Sequence, residues 1–184
     1  MYTFFKEDSN YNKISTESVK IDFDQTGQNI SLKNAYPVSD KEGITDNSNR
    51  TTFKIKTNIT SKNLKIGYDL GLIDIKSEGR LKENYIKIAL LDQKGNVVLG
   101  KKDGKNNLVG GILISDIKEK QGKYNLIDNY CMTSDVLKYN KLANSYTLIA
   151  YISSEYDILK NRKTEVASEK YNFSFKINLI AKQL

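Results

Sequence analysis

The chain lacks histidine and tryptophan, and it contains one cysteine, one proline and three arginines among 184 residues. Without histidine it can form neither a Ser-His-Asp triad, nor a Cys-His pair, nor a His-Glu-x-x-His zinc site. The lone cysteine, Cys131, rules out an internal disulfide, and its simplest role is that of a small buried apolar side chain. We therefore expect a protein that is not an enzyme and that has no catalytic, cofactor or metal site.

Positive charge is in excess, with 29 Lys and Arg against 22 Asp and Glu and a formal net charge of +7. The lysines are spread along the whole chain, and Arg50, Arg80 and Arg162 lie far apart. Arginine is the side chain best suited to phosphates and base edges, so its scarcity argues against a nucleic-acid partner. The densest basic run, residues 101–105, has the composition of a turn. We expect a solvated basic surface.

No apolar run is long enough to span a bilayer, and no signal peptide is visible. We therefore expect no membrane span in the mature chain. The chain begins with the apolar residues Tyr2, Thr3, Phe4 and Phe5, which are followed by a polar stretch without a pattern. Such a start is compatible with a mature end left by a removed leader. It can dock into its own sheet or reach a neighbouring subunit.

Alternation of apolar and polar residues with a period of two dominates the chain and predicts strands that bury one face. The segments with this pattern are residues 19–23, 30–32, 53–59, 64–70 and 171–179, and residues 85–91 are a further strand candidate. Residues 146–152 are apolar on both faces, which predicts a central strand. Residues 127–132 form a further, weaker strand candidate.

Turn and helix signals are fewer. Residues 92–96 predict a hairpin turn. Residues 136–142, preceded by Thr-Ser-Asp, are the best helix candidate, and a shorter helical turn is predicted from Ser115 to Lys120. Residues 34–43 hold the only proline and predict a polar turn, whereas the charged residues 155–169 predict a long exposed loop.

Eight to ten strands joined by short turns predict one all-β domain over residues 1–184, a jelly-roll-like β-sandwich with one or two short helices. Residues 1–13 differ from the remainder and are a candidate donor strand for another subunit. Two chemical features stay open. Asp22 and Asp24 flank Phe23 and could bind calcium or serve acid-base chemistry, although a solvated strand face is the simpler interpretation. Isopeptide bonds between Lys and Asn beside a carboxylate, as in Gram-positive pilins, are also compatible with this composition.

Taken in order, five segments resemble the TasA and camelysin-type exported proteins of Gram-positive bacteria. They are Phe4-Phe5, the strand at 19–23, the turn at 35–43, the strand at 53–58 and the C-terminal strand at 171–177 with the Ala-Lys-Gln behind it. The resemblance covers both ends of the chain well and the middle poorly.

The resemblance implies a structural subunit of an extracellular biofilm fibre at the cell surface. In that family a subunit donates its N-terminal strand to the next one, which here gives about residues 2–10 as the donor. Tyr2, Thr3, Phe4 and Phe5 are then the subunit contact. The implied partners are copies of the chain itself and a minor fibre or anchoring protein. Phe4 or Phe5 would be the anchor of this β-augmentation.

A second function from another class is left open by the residues. The chain could be a monomeric binding module on the cell surface or on a phage particle, recognising glycan or protein. Tyrosine-rich loops, such as residues 151–156, would then form its contact surface. In that case the first residues would dock into their own subunit.

Overall fold

The computed structural model describes residues 12–16, 19–25, 30–77, 83–155 and 171–184. Strands make up 58% of the structure, and the described ranges contain one short α-helix. The prediction of an all-β, sandwich-like fold with one or two short helices is therefore confirmed. No helix in these ranges is long and apolar enough to cross a membrane.

Thirteen strands and one α-helix, numbered in chain order, lie in the described part of the chain. They are β1 Asn12–Thr16, β2 Val19–Gln25, β3 Ile30–Ala35, α1 Asp40–Thr45, β4 Arg50–Thr57, β5 Lys65–Ser77, β6 Ile86–Asp92, β7 Val97–Leu99, β8 Lys101–Lys102, β9 Leu108–Gly110, β10 Ile112–Leu113, β11 Cys131–Lys138, β12 Ala143–Ile152 and β13 Tyr171–Gln183. Short 3₁₀ turns cover Asn47–Asn49, Glu83–Tyr85 and Ile114–Ile117.

These strands form two main antiparallel sheets. The larger sheet has the order β1-β2-β4-β12-β6-β10, and β7 also pairs with β6. The smaller sheet has the order β11-β5-β13-β3, and β8 and β9 form a separate hairpin. Because β2 and β3 follow each other along the chain but belong to different sheets, the chain crosses between the layers there.

The main core lies between the two sheets and is built by the alternation that the sequence shows. In β4 the side chains of Phe53, Ile55 and Thr57 are buried, and those of Lys54 and Lys56 are exposed. The last five residues of β12 are all buried, and β12 lies between β4 and β6. Both the one-sided strand and the central strand were predicted correctly.

A second, smaller core covers the outer face of the larger sheet. Its fully buried members are Ala89, Ile149 and Tyr151, and Val38, Ile44, Leu91 and Leu108 pack against them. The residues around α1 and the β8–β9 hairpin supply most of this cover. The prediction of an exposed tyrosine-rich loop at residues 151–156 is therefore wrong for Tyr151, which is 1% exposed in β12.

The helix α1 begins inside the block that was predicted as a polar turn. Ser39 is its N-cap: the Ser39 Oγ accepts from the Glu42 N–H at 3.3 Å, and Glu42 Oε2 accepts from the Ser39 N–H at 3.0 Å. This reciprocal pair is a capping box, which satisfies two helix-end donors and specifies a helix start. The turn prediction is therefore wrong for residues 40–43, because the capping box between Ser39 and Glu42 starts a helix there.

The helix predicted over residues 136–142 does not form, since β11 runs through Lys138 and pairs with β5. The polar residues expected to cap it bind elsewhere: Ser134 Oγ donates to Asp69, and Asp135 accepts from Lys141. The strand predicted over residues 127–132 begins only at Cys131, whose thiol is buried as expected. That burial raises the pKa of the Cys131 thiol.

Other local predictions have mixed outcomes. The hairpin at residues 92–96 is confirmed, because Asp92 N–H donates to the Asn96 carbonyl at 2.9 Å. The helical turn from Ser115 to Lys120 is instead the 3₁₀ turn Ile114–Ile117. Asp22 and Asp24 pair in register with Lys56 and Lys54 of β4. Most of the loop predicted at residues 155–169 lies outside the described residues.

Candidate functional site

The smaller sheet has one long border that its own strands cover only in part. β3 pairs with β13 from Tyr171 to Phe175, where the register ends at Ile30. On the other side of β13, β5 pairs from Phe173 to Gln183. Within the described ranges, residues 177–183 of β13 therefore have a strand on one side only. We call this stretch the open edge.

The side chains along the open edge alternate between two environments. Ile177, Leu179 and Ala181 are buried and belong to the main core. Asn178 and Ile180, which point to the outer face, are half-buried. A strand laid along this edge would thus meet an apolar layer on one face and a semi-polar layer on the other, as in β-augmentation.

The size of the open edge suits a short peptide. Seven extended residues span about 23 Å at roughly 3.3 Å per residue. The candidate donor, residues 2–10, would be long enough to cover that distance in the extended state. Unpaired strand borders attract further strands, so natural proteins cover or disrupt them.

The opposite border of the same sheet, β11, is protected at both ends. The Cys131 N–H donates to the Lys120 carbonyl at 3.0 Å, so the preceding segment lies against the start of the strand. At its other end, Lys138 and Lys141 exchange backbone hydrogen bonds at 3.1 and 2.7 Å. The two borders therefore differ, and the open edge is the better candidate for a subunit contact.

The predicted donor residues Tyr2, Thr3, Phe4 and Phe5 lie outside the described residues. The last two residues of the predicted segment 1–13 are described: Asn12 and Lys13 belong to β1 and pair with Phe23 and Asp22 of β2. A donor strand has to end before Asn12 if β1 keeps this pairing.

A buried lysine forms a second polar site, beneath α1. Lys87 lies on β6 directly opposite Tyr151 of β12, and its side chain is 3% exposed. Its Nζ is 2.7 Å from Asp40 Oδ1 and 2.5 Å from Glu155 Oε2. The Tyr151 hydroxyl donates to the same Asp40 oxygen at 2.5 Å and accepts from the Gly111 N–H at 2.8 Å.

The electrostatics of this lysine site follow from burial and pairing. Burial by itself lowers the pKa of Lys87, but the hydrogen bonds and charges of Asp40 and Glu155 outweigh it and raise the pKa overall. Burial and the bond to Asp40 raise the pKa of Tyr151. No sequence pattern predicted this lysine site. Its one signal is a lysine between Ile86 and Ile88, inside a run that is otherwise apolar.

The carboxylate of Asp69 holds the segment before β11 against the outer face of the smaller sheet, and we call this arrangement the Asp69 clamp. Asp69 of β5 is fully buried and accepts hydrogen bonds from the N–H groups of Tyr124 at 3.3 Å and Leu126 at 2.9 Å. It also accepts from Ser134 Oγ at 2.6 Å. Gly122 lies so close to the carboxylate that a Cβ there would overlap it. The segment between the 3₁₀ turn and β11 is thereby fixed over β5.

A tyrosine pair joins the two sheets inside the core. The hydroxyls of Tyr68 and Tyr146 are 2.6 Å apart, and the Asn144 side-chain amide donates to Tyr68 at 2.5 Å. Burial raises the pKa of Tyr146 to about 12, and it raises that of Tyr68 further. The neutral phenols are therefore the forms that the folded state favours.

We expect the free energy of unfolding to fall as the pH is raised above about 10, the ordinary tyrosine pKa in an unfolded chain. The pKa of Tyr146 in the folded protein is about 12. The contribution of this tyrosine to the free energy of unfolding is therefore fully present below its pKa in the unfolded chain, and it is lost as the pH rises through its pKa in the folded protein. Urea unfolding at several alkaline pH values measures the loss. A Tyr146→Phe variant should lose less, and identical pH profiles would contradict the assignment.

In the part of the chain that the structure covers, no group of three or more His, Cys, Asp or Glu residues could hold a metal ion. The comparisons add no relatives: no family model, no curated protein and no solved structure matches this chain.

Proposed function

We propose that this protein is a structural subunit of an extracellular bacterial fibre that polymerises by donor-strand complementation. The observation that carries the proposal is that, among the described residues, residues 177–183 of β13 pair with a strand on one side only. The donor is the N-terminal segment of a neighbouring subunit, with Tyr2, Thr3, Phe4 and Phe5 at its apolar end. The site of action is the cell surface, and the main partner is a second copy of the chain.

The physics of the contact is that of strand addition. Backbone hydrogen bonds to the open edge supply affinity, and alternate side chains supply specificity. Phe4 or Phe5 serves as the anchor, because aromatic side chains bury a large apolar area in such contacts. The donor surface and the acceptor edge are different parts of the molecule. Their contact is therefore heterologous, and repeating it head to tail produces an open filament.

An open filament has two unlike ends. One end carries an acceptor edge without a donor, and the other carries a donor segment without an acceptor. A minor fibre protein or an anchoring protein that binds either end would start, stop or attach the fibre. We place this accessory partner at a filament end, since every internal edge is occupied by a copy of the same chain.

Disulfide trapping tests the contact directly. Cys131 is the only cysteine and is buried, so Cys131→Ala provides a background free of thiols. We would add Thr3→Cys together with either Asn178→Cys or Ile180→Cys on the open edge, and oxidise the protein under assembly conditions. Non-reducing gels should show a ladder of covalent multimers, because each bond joins the donor of one subunit to the edge of the next.

Two controls make the result specific. Thr3→Cys combined with Lys138→Cys, on the opposite border β11, should give no ladder. In a second control, a protein whose single cysteine is Thr3→Cys is mixed with a protein whose single cysteine lies on the open edge. Covalent dimers should then contain one molecule of each variant. Disulfides confined to single chains would show that the segment docks into its own subunit. That outcome would favour the monomeric binding module and contradict the fibre proposal.

A further inference from the structure

We propose that Lys87 and Asp40 condense to an intramolecular isopeptide bond, with Glu155 as the proton carrier. The inference concerns a covalent modification of the folded chain and does not depend on fibre assembly. It rests on three groups that the fold brings together from distant parts of the sequence. Asp40 opens α1, Lys87 lies on β6, and Glu155 follows β12.

The reacting groups are in contact. Lys87 Nζ is 2.7 Å from Asp40 Oδ1, and its other carboxylate contact, Glu155 Oε2, is at 2.5 Å. The Tyr151 hydroxyl donates to the Asp40 oxygen that Lys87 also touches, and so polarises that carboxyl group. Holding an amine against a carboxyl group replaces a bimolecular encounter by an intramolecular one, which raises the effective concentration greatly.

The surroundings favour condensation over hydrolysis. Lys87 is 3% exposed and Asp40 is 15% exposed, beside the small core of Ala89, Ile149 and Tyr151. Burial by itself disfavours the charged ammonium of Lys87, but the contacts with Asp40 and Glu155 raise the pKa of Lys87 overall, so a proton has to pass to Glu155 before the nitrogen can attack. Glu155 is 53% exposed, and its side chain therefore connects the site to solvent. The water that condensation releases can leave by that side.

The step balances without any further reagent. Glu155 accepts one proton from the Lys87 ammonium, and the freed nitrogen lone pair attacks the Asp40 Cγ. A C–N bond forms, and one Cγ–O bond breaks. The departing oxygen receives one proton from Glu155 and a second from the nitrogen, transferred through the same carboxylate. The products are a neutral amide and one water molecule, and Glu155 returns to its starting state.

The bond would join the cover of the second core to the sheet beneath it. α1 lies on the connection between β3 of the smaller sheet and β4 of the larger sheet. A covalent link from Asp40 to Lys87 closes a loop of the chain and restricts the unfolded state, as a disulfide does. A chain with one cysteine has no internal disulfide that could do this.

The surface pair Lys141 and Asp135 provides an internal comparison. Its Nζ–Oδ2 distance is also 2.7 Å, but the side chains are 38% and 37% exposed. No carboxylate other than that of Asp135 contacts Lys141 among the ion pairs of the described residues. The same contact distance without burial or a proton carrier should leave Lys141 unmodified.

Intact-mass spectrometry of the folded full chain tests the proposal. We expect the mass to be lower than that of the sequence by one water molecule. Trypsin does not cleave after an acylated lysine, so digestion should yield a branched peptide that joins residues 34–41 to residues 83–94. A water loss that maps to the Asp103-Gly104 dipeptide, a succinimide site, would overturn the proposal, as would the full mass in a cooperatively folded protein.

Four substitutions separate a chemical role from a structural one. Lys87→Arg keeps the charge and should show the full mass. Glu155→Gln should fold and keep the Lys87–Asp40 contact but show a large loss of the branched peptide, which Glu155→Asp should partly restore. Asp40→Asn should lose one ammonia instead of one water if position 40 is the acyl donor. An unchanged branched-peptide yield in Glu155→Gln would overturn the role of Glu155.

Discussion

Removal of residues 1–11 is expected to abolish filament formation completely while leaving the fold intact. The truncation stops before β1, which begins at Asn12 and pairs with β2 within the same chain. The sandwich therefore keeps every strand that the structure describes, but no subunit has a donor for the open edge of its neighbour. Electron microscopy of the purified proteins under assembly conditions measures the difference, and circular dichroism verifies the fold.

The matched comparison for the truncation is a pair of point variants. Phe4→Ala with Phe5→Ala should severely weaken assembly, because the aromatic anchors are lost. Thr3→Ala removes much less apolar area and should assemble nearly as well as the unmodified chain. A synthetic peptide of residues 1–11 should bind the truncated protein, and Pro substitution in that peptide should weaken binding, since proline removes a backbone donor. Filaments formed by the truncated protein would refute the donor assignment.

Asp69→Ala is expected to lower the free energy of unfolding by about 3–5 kcal/mol, a large share of the stability of an ordinary domain. The carboxylate is fully buried and accepts from Leu126 N–H at 2.9 Å and Ser134 Oγ at 2.6 Å. Alanine removes the acceptor and leaves these donors without a partner in a site closed to water. Urea unfolding of the variant and of the unmodified chain measures the change.

The control for Asp69 comes from the segment that it holds in place. Asp128 lies in the same connection to β11, and its side chain is exposed. Asp128→Ala makes the same chemical change without removing a buried acceptor, and we expect an effect within about 0.5 kcal/mol. Asp69→Asn keeps the shape and one acceptor oxygen, so it should fall between the two. Equal destabilisation by Asp69→Ala and Asp128→Ala would contradict the clamp.

The strands that sequence reasoning identified best are those in which burial follows the local pattern. In β4 the sequence alternates and the burial alternates with it, because successive side chains of a strand face opposite sides. β5 begins with a similar pattern, but residues 66–72 are buried on both faces. The reason is tertiary: Tyr124 and Ile127 pack over Gly67 and Gly71 on the outer face. The pattern of the sequence did not predict the burial of Asp69.

The helix predicted over residues 136–142 does not form, and the reason is again tertiary. Thr133, Ser134 and Asp135 are good capping residues in isolation. In the fold, Ser134 donates a hydrogen bond to Asp69, which is 65 residues away in the sequence. The strand that contains Ser134, β11, pairs with β5. These contacts between residues far apart in the sequence replace the local helix cap. Conversely, the capping box at Ser39 and Glu42 is a local signal, and it could have been recognised from the spacing alone.

The amino-acid sequence by itself determined the fold class, the one-sided and central strands, the buried thiol and the exclusion of histidine chemistry, because each depends on composition or on a period of two. Only the tertiary structure decided where the open edge lies and which charges meet. β3 is six residues long beside a β13 of thirteen, and their register leaves residues 177–183 uncovered by β3. Likewise Lys87, Asp40 and Glu155 meet only when β6, α1 and the end of β12 pack together, since no local pattern specifies contacts between residues so far apart.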